Sequence, residues 1–323
     1  MQREKSALEL IHNLSELQRF PDLLEPITLC KHGLIVAGCE AFQGSVENTI
    51  PVIAAIACLH RSIIVLDDML DEDPRGEYHQ LGAGVAANQA AILQAAALQI
   101  VANTDWEADI KLAVGKALNE MTLHTALGQH LDVHNPATEA EYWELARGKS
   151  SPFFIASVYV GALLGGAPLE VAAELKKFGE LYGEIVQIND DLADAMQTPP
   201  SPDWVHGRNP LPILYAQLVP HPDRERFLAL RDQVTAGDAQ ALEEAQTILI
   251  HCGAVSYCVE QLLHRYQLAR DHLASLYLPN PDRLERMLTR MVTRMLDGFK
   301  KQAFEQPERL LANRKNYFES FPV

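Results

Sequence analysis

Apolar residues recur at intervals of three and four along almost the whole chain, and few stretches alternate β-branched with polar residues. This periodicity is typical of amphipathic helices and predicts an all-α fold. With 323 residues, of which 48% are apolar and 22% charged, the chain can bury a substantial core. Neither an internal repeat nor a clear domain boundary interrupts the pattern. We therefore expect one large helical domain over residues 1–300 and an appended C-terminal tail over residues 301–323.

The same periodicity, with the turn residues between apolar segments, gives the expected helix positions. The predicted helices are 16–24, 29–42, 49–70, 81–102, 106–131, 139–147, 151–164, 169–196, 211–218, 223–236, 239–252, 255–276 and 281–303. Most connections are short. The longest runs from Gln197 to Pro212, and long connections in compact domains often carry function.

Charge and composition exclude several classes of protein. The formal net charge of −16 repels nucleic acid and anionic lipid, so no nucleic-acid partner is expected. The N-terminus has mixed charges and no apolar signal region, which predicts a cytoplasmic protein. Pro51, His60 and Arg61 interrupt the longest apolar stretch, so we expect no stable membrane insertion. The five cysteines include no CxxC pair and indicate neither a disulfide framework nor a zinc site.

Two acidic segments, "VLDDMLDED" and "QINDDLADAM", end strongly apolar predicted helices. Each has two aspartates four residues apart and a third beside the first: Asp67, Asp68 and Asp71, and Asp190, Asp191 and Asp194. Residues four apart share a helix face, where bare carboxylates repel each other. Mg²⁺ uses one or two carboxylates and completes its shell with phosphate oxygens. The two segments therefore predict a diphosphate site bridged by Mg²⁺, although one such cluster alone is typical of a solvated surface.

Five segments occur in an order and spacing similar to those of a known family: "HRSIIVLDDMLD", "ALGQHLDV", "EYWELARGKSSPFF", "FGELYGEIVQINDDLAD" and "DWVHGRNPLPILYA". From roughly Leu34 to Leu296 the chain resembles the trans-isoprenyl diphosphate synthases of the polyprenyl synthetase family, whose fold is shared with class I terpene synthases. The resemblance implies an isoprenoid-synthase helical bundle with a central apolar cavity. It also implies an allylic prenyl diphosphate substrate and a homodimer.

The resemblance also assigns roles to individual residues. All six aspartates would act on Mg²⁺, with three ions present when diphosphate is bound. Gln187 would support the second acidic segment, while Lys149 and Arg208 would grip the allylic diphosphate. Ser62 and Ile63 fall where the family limits the depth of the tunnel for the prenyl tail.

The chain departs from the family where elongating members bind isopentenyl diphosphate. The segment 26–32, "PITLCKH", keeps one cation, Lys31, where three are usual, and the shortened "PRG" leaves Arg75 alone. Each lost charge-assisted contact removes about 1.5–3 kcal/mol of binding. We therefore expect a terpene synthase, or cyclase, without an intact isopentenyl diphosphate site.

Three other functions stay open. Ordinary chain elongation of the farnesyl or geranylgeranyl type is the first alternative, and prenyl transfer to another acceptor is the second. A non-catalytic regulatory partner is the third, but such a subunit has no need to keep both acidic segments.

Overall fold

The computed structural model describes residues 2–14, 32–132 and 134–305. Within these ranges the chain is helical and has no strand, which confirms the all-α prediction. The predicted helix 16–24, Lys31 and the tail beyond residue 305 lie outside the described residues. For the segment 26–32, only His32 is described.

The helices are numbered here in chain order. The first eight are α1 (Gln2–His12), α2 (Gly33–Ala41), α3 (Ile50–Leu70), α4 (Tyr78–Leu81), α5 (Ala83–Ala102), α6 (Ala108–Asp132), α7 (Glu139–Lys149) and α8 (Ser151–Leu164). They are followed by α9 (Leu169–Met196), α10 (Pro202–Val205), α11 (Leu211–Leu218), α12 (Arg224–Thr235), α13 (Ala239–His251), α14 (Ala254–Ser275) and α15 (Asp282–Glu305). The predicted bounds of α8, α9 and α11 agree with the structure, whereas α1, α4 and α10 were not predicted.

The chain divides into two compact units. The first comprises residues 1–134, 144–184 and 267–288, and the second comprises residues 135–143, 185–266 and 289–323. In the first unit α2 packs on α8, and α3 packs on α5, α6 and α1. In the second unit, buried residues such as Trp204, Phe227 and Leu249 form a core shared by α10, α12 and α13. The expectation of one domain over residues 1–300 stays a prediction.

Helix α3 carries the first acidic segment, and it is continuous. The predicted helix 49–70 agrees with it to within one residue, and Pro51, His60 and Arg61 all lie within it. Pro51 lies in the first turn, where its missing N–H costs no helical hydrogen bond. The His60 ring packs against Phe153 with centroids 5.3 Å apart, and Arg61 forms an ion pair with Glu77.

Two helical stretches, 46–70 and 83–102, are long and apolar enough to cross a membrane by length and composition. In the first, 61% of the apolar window is buried inside the protein, and in the second 39%. The core helices of folded domains meet the same length and composition criteria, and the burial of α3 identifies it as a core helix. The absence of membrane insertion stays a prediction.

Candidate active site

The first acidic segment ends α3 in the first unit. Asp67 lies on the last turn of the helix, and Asp71 caps it, its backbone N–H donating to the Asp67 carbonyl at 2.8 Å. The Asp67 Oδ1 accepts a hydrogen bond from Gln129 Nε2 at 3.1 Å and lies 3.5 Å from Lys149 Nζ. Helices α3, α6 and α7 thus bring one carboxylate, one amide and one ammonium group together.

Lys149 is the last residue of α7, and its Nζ donates to Asp132 Oδ2 at 2.5 Å. Burial opposes the charged form of Lys149, but the attraction of Asp132 and Asp67 outweighs it and raises the pKa well above the usual lysine range. The ammonium group is therefore charged at all relevant pH values. The sequence analysis missed Asp132 and Gln129, although both lie in the quoted segment "ALGQHLDV".

The carboxylates of the first segment are held in an unfavourable environment. Burial raises the pKa of Asp67, and the charges of Asp71 and Asp132 add to this effect against the opposing charge of Lys149. Burial also raises the pKa of Asp68, reinforced by Asp73 and Asp67. Since the charged forms are destabilised, a divalent cation beside them would be stabilising.

The donor chemistry fits magnesium. Among the described residues, no three His, Cys, Asp or Glu side chains converge as a complete protein metal site would require. Mg²⁺ does not need such a cage, because one or two carboxylates suffice when phosphate oxygens supply further ligands. Asp67 and Asp71, on successive turns at the end of α3, are a pair of this kind.

Arg75 follows the first segment and is engaged within its own loop. Its Nε and Nη2 donate to the two oxygens of Asp73 at 3.1 and 2.7 Å, while 83% of its side chain is exposed. The hydrogen bond from Arg75 is the main cause that lowers the pKa of Asp73. A diphosphate would have to compete with Asp73 for this guanidinium group.

The second acidic segment lies on α9 in the second unit, and its three aspartates differ in exposure. Asp190 is exposed and Asp194 is half-buried, whereas Asp191 is only 5% exposed. Asp191 Oδ1 accepts from Gln187 Nε2 at 2.6 Å, and its Oδ2 accepts from the Leu211 backbone N–H at 2.9 Å. Asp191 thus holds the first turn of α11. These contacts favour Asp190 and Asp194 over Asp191 as metal ligands.

Arg208 lies in the connection between α10 and α11, and hydrogen bonds with Arg231 and Asn135 hold this connection in place. The Arg208 carbonyl accepts from Arg231 Nη2 at 2.7 Å. Asn135 Nδ2 donates to the Gly207 carbonyl at 2.9 Å, and its Oδ1 accepts from the Asn209 backbone at 2.7 Å. The predicted loop 197–212 is shorter than expected, because α10 interrupts it and α11 begins within its last two residues. Sequence analysis missed these anchoring residues.

The two positions assigned to tunnel depth lie on α3. Ser62 is fully buried, and its Oγ accepts from Gln94 Nε2 of α5 at 2.9 Å. Ile63 is half-buried.

The predicted site residues fall into both compact units. The first unit holds Ser62, Ile63, Asp67, Asp68, Asp71, Arg75 and Lys149, and the second holds Gln187, Asp190, Asp191, Asp194 and Arg208. Within the first unit Asp67 and Lys149 are brought together, and within the second Gln187 and Asp191 are. The expectation that both acidic segments bind one diphosphate stays a prediction.

Comparison with known proteins gives consistent matches. A family model described as polyprenyl synthetase matches residues 30–248. The geranylgeranyl diphosphate synthase of Methanosarcina mazei is 27% identical over 238 residues, which cover 69% of this chain and 72% of that protein. The short chain isoprenyl diphosphate synthase of Methanothermobacter thermautotrophicus is 28% identical over 265 residues, covering 74% and 78%.

Solved structures agree in fold. The geranylgeranyl pyrophosphate synthetase of Pyrococcus horikoshii superposes with a TM-score of 0.79 at 22% identity, covering 90% of this chain and 96% of that one. A decaprenyl diphosphate synthase from Rhodobacter capsulatus gives 0.77 at 20% identity, covering 92% and 96%. At these identities the likeness establishes the helical-bundle fold and nothing further.

Proposed function

Because the chain belongs to the polyprenyl synthetase family, we propose that it is a magnesium-dependent prenyltransferase that extends an allylic prenyl diphosphate with isopentenyl diphosphate. The observation that carries the proposal is the cluster at the end of α3, where Lys149 contacts both Asp67 and Asp132 beside Asp71. This arrangement supplies both a cation for a diphosphate and carboxylates for a metal. The relatives named above are prenyl diphosphate synthases, and this favours elongation.

Elongation replaces the terpene-synthase function expected from the sequence. That expectation depended on a weakened site for the second diphosphate, and none of the relatives named above is a terpene synthase. The segment 26–32, on which much of it depended, lies almost entirely outside the described residues. Arg75 is paired with Asp73, and 83% of its side chain is exposed.

The proposed reaction assigns roles to the described side chains. Lys149 holds the diphosphate of the allylic substrate and favours the departure of that group with its electron pair. The assignment of Arg208, in the second unit, to the same diphosphate stays a prediction. Bound magnesium supplies further neutralisation of the leaving group. The double bond of isopentenyl diphosphate forms the new carbon–carbon bond, and a proton is lost to restore the alkene. Ser62 and Ile63, on α3 below Asp67, are proposed to limit the length of the product.

Product analysis tests this proposal. Purified protein is incubated with Mg²⁺ and geranyl, farnesyl or geranylgeranyl diphosphate, with and without isopentenyl diphosphate. We expect longer diphosphates only when isopentenyl diphosphate is present. A hydrocarbon or alcohol formed from one substrate alone would support a terpene synthase and overturn elongation. Lys149→Met should lose about 100-fold or more in rate, whereas Lys116→Met, which removes an exposed lysine from α6, should not.

The remaining expectations on partners and location belong to the same proposal. A homodimer is supported by an exposed row of leucines on α6, at Leu112, Leu123, Leu127 and Leu131. The number of magnesium ions, the cytoplasmic location and the absence of a nucleic-acid partner stay predictions.

A further inference from the structure

Arg61 lies on α3, six residues before Asp67, and its role was not predicted from the sequence. Only 13% of its side chain is exposed, and its Nη2 donates to Glu77 Oε2. Glu77 lies sixteen residues further along the chain, immediately before α4. The ion pair therefore closes the loop 71–77 back onto the helix that carries the first acidic segment.

Other contacts show that this loop is held in one position. The Asp73 backbone N–H donates to the Asp68 carbonyl at 3.0 Å, and the Gly76 N–H donates to the Asp73 carbonyl at 2.9 Å. A Cβ atom at Gly76 would lie 3.0 Å from the Asp68 Cβ and 2.7 Å from the Tyr78 ring, so the backbone approaches Asp68 closely. Arg61 and Arg75 both lower the pKa of Asp68 against the larger opposing effect of burial.

We propose that Arg61 is a positioning residue for the first acidic segment, and that its ion pair with Glu77 holds the loop 71–77 against Asp68. The loop then keeps the carboxylates of Asp68 and Asp73, together with Arg75, at fixed distances from Asp67. Preorganisation of this kind removes the ordering cost from metal and diphosphate binding. The catalytic consequence rests on the proposed function, whereas the position of the loop does not.

A readout independent of activity is trypsin cleavage after Arg75, whose side chain is 83% exposed. Cleavage requires local opening of the loop, so its rate reports the opened population. A partly exposed ion pair contributes modestly, so Glu77→Gln and Arg61→Met should each raise the rate of this one cleavage about 2- to 5-fold. The double charge swap, Arg61→Glu with Glu77→Arg, restores the pair with reversed charges and should return the rate towards that of the native chain, scored from the fragment that ends at Arg75 because the substituted position 77 is itself a trypsin site.

The magnesium dependence of turnover separates positioning from simple charge. If Arg61 acted only through its charge, removing that cation would strengthen Mg²⁺ binding by the nearby carboxylates. The Mg²⁺ concentration that gives half-maximal activity would then fall. Loss of positioning would raise that concentration, by about the same 2- to 5-fold factor as the cleavage rate. We expect Arg61→Met and Glu77→Gln both to raise it, and the charge swap to restore it.

The matched control is Glu244→Gln, which breaks a comparable ion pair between α12 and α13, where Arg226 contacts Glu244 at 2.6 and 2.7 Å. It should change neither cleavage after Arg75 nor the magnesium dependence. Unchanged cleavage in both Arg61→Met and Glu77→Gln would overturn the proposal, as would a lowered magnesium requirement in Arg61→Met. If the chain elongates no substrate, the cleavage rates still decide whether the ion pair holds the loop.

Discussion

At Asp67, metal binding and stability oppose each other, because the negative charge that would bind magnesium destabilises the metal-free protein. Burial and the neighbouring charge of Asp71 raise its pKa above the unfolded value, despite the opposing charge of Lys149. When folding raises the pKa of a carboxyl, the protein becomes less stable as pH rises from the unfolded pKa to the folded pKa of that group. At neutral pH the ionised group therefore destabilises the folded protein, and bound metal would offset this destabilisation.

Asp67→Asn should accordingly stabilise the metal-free protein at neutral pH while removing its magnesium-dependent activity. The amide can still accept from Gln129, and solvent screening keeps the gain below about 1 kcal/mol. The gain should be complete above the folded-state pKa and disappear as pH falls below the pKa of an unfolded aspartate, where both states are protonated. Thermal unfolding at neutral and acidic pH measures it. A loss of stability at neutral pH would contradict this account.

Asp190 and Asp191 are adjacent, yet their burial predicts opposite consequences of substitution. Asp191→Ala removes the acceptor of the buried Leu211 N–H and of the half-buried Gln187 amide, and should cost about 1–3 kcal/mol of unfolding free energy. Asp190→Ala, at an exposed position, should change stability by less than about 0.5 kcal/mol but abolish turnover. Urea denaturation of both variants provides the comparison. Equal destabilisation would show that Asp190 also has a structural role.

The acidic residues could be predicted because several charged residues at the end of an apolar segment stand out in the sequence itself. Sequence reasoning missed their partners Gln129 and Asp132, since an amide and an acid on a mixed helix face carry no distinguishing local signal. It could not separate Asp190 from Asp191 either. Which of two neighbouring aspartates is buried depends on the helix that packs above it, here α11.

At the scale of elements, the close crossing of α6 and α7 positions Lys149. A Cβ atom at Gly128 would lie 2.3 Å from both the Gly148 carbonyl carbon and the Lys149 backbone nitrogen. No larger residue fits unless the two helices separate. The crossing therefore fixes the distance from Lys149 to Asp132, which lies one turn beyond Gly128 on α6.

Gly128→Ala should destabilise the protein by about 1–3 kcal/mol through overpacking, and it should lower turnover because Lys149 is displaced from Asp67 and Asp132. Gly115→Ala provides the matched control on the same helix, since a Cβ atom there meets nothing within 4 Å. That change should stabilise α6 by about 0.5–1 kcal/mol. Thermal unfolding and steady-state kinetics of both variants test the pair. A Gly128→Ala protein with native stability and turnover would show that the crossing is not tight.

The longer elements were predictable because hydrophobic periodicity over several turns leaves little choice, as the agreement for α8 and α9 shows. The short helices α4 and α10 were not, because four residues are too few to establish a period. Pro51 did not obscure α3, because a proline suits the first turn of a helix and the predicted start at residue 49 already places it there.

At the scale of the whole molecule, α6 has one face that the described contacts leave uncovered. Leu123, Leu127 and Leu131 follow at intervals of four and are exposed by 52%, 52% and 43%, and Leu112 continues the row at 73%. An exposed row of large apolar side chains is uncommon on a monomer and indicates an association surface. A second copy of this chain is the occupant we propose, because an isologous interface lets the same row cover itself.

The double variant Leu123→Lys with Leu127→Lys should therefore convert a dimer into a monomer, since burying two ammonium groups opposite their symmetry mates is prohibitive. Sedimentation equilibrium across a range of concentrations measures the mass. Leu218→Lys, at a 48% exposed leucine of α11, tests whether any surface lysine has this effect and should leave the dimer intact. Because the leucines lie outside the Asp67 and Lys149 cluster, the monomer should retain the arrangement of the carboxylates proposed to bind magnesium. A native chain that sediments as a monomer at every concentration would remove the basis for a self-association surface on α6.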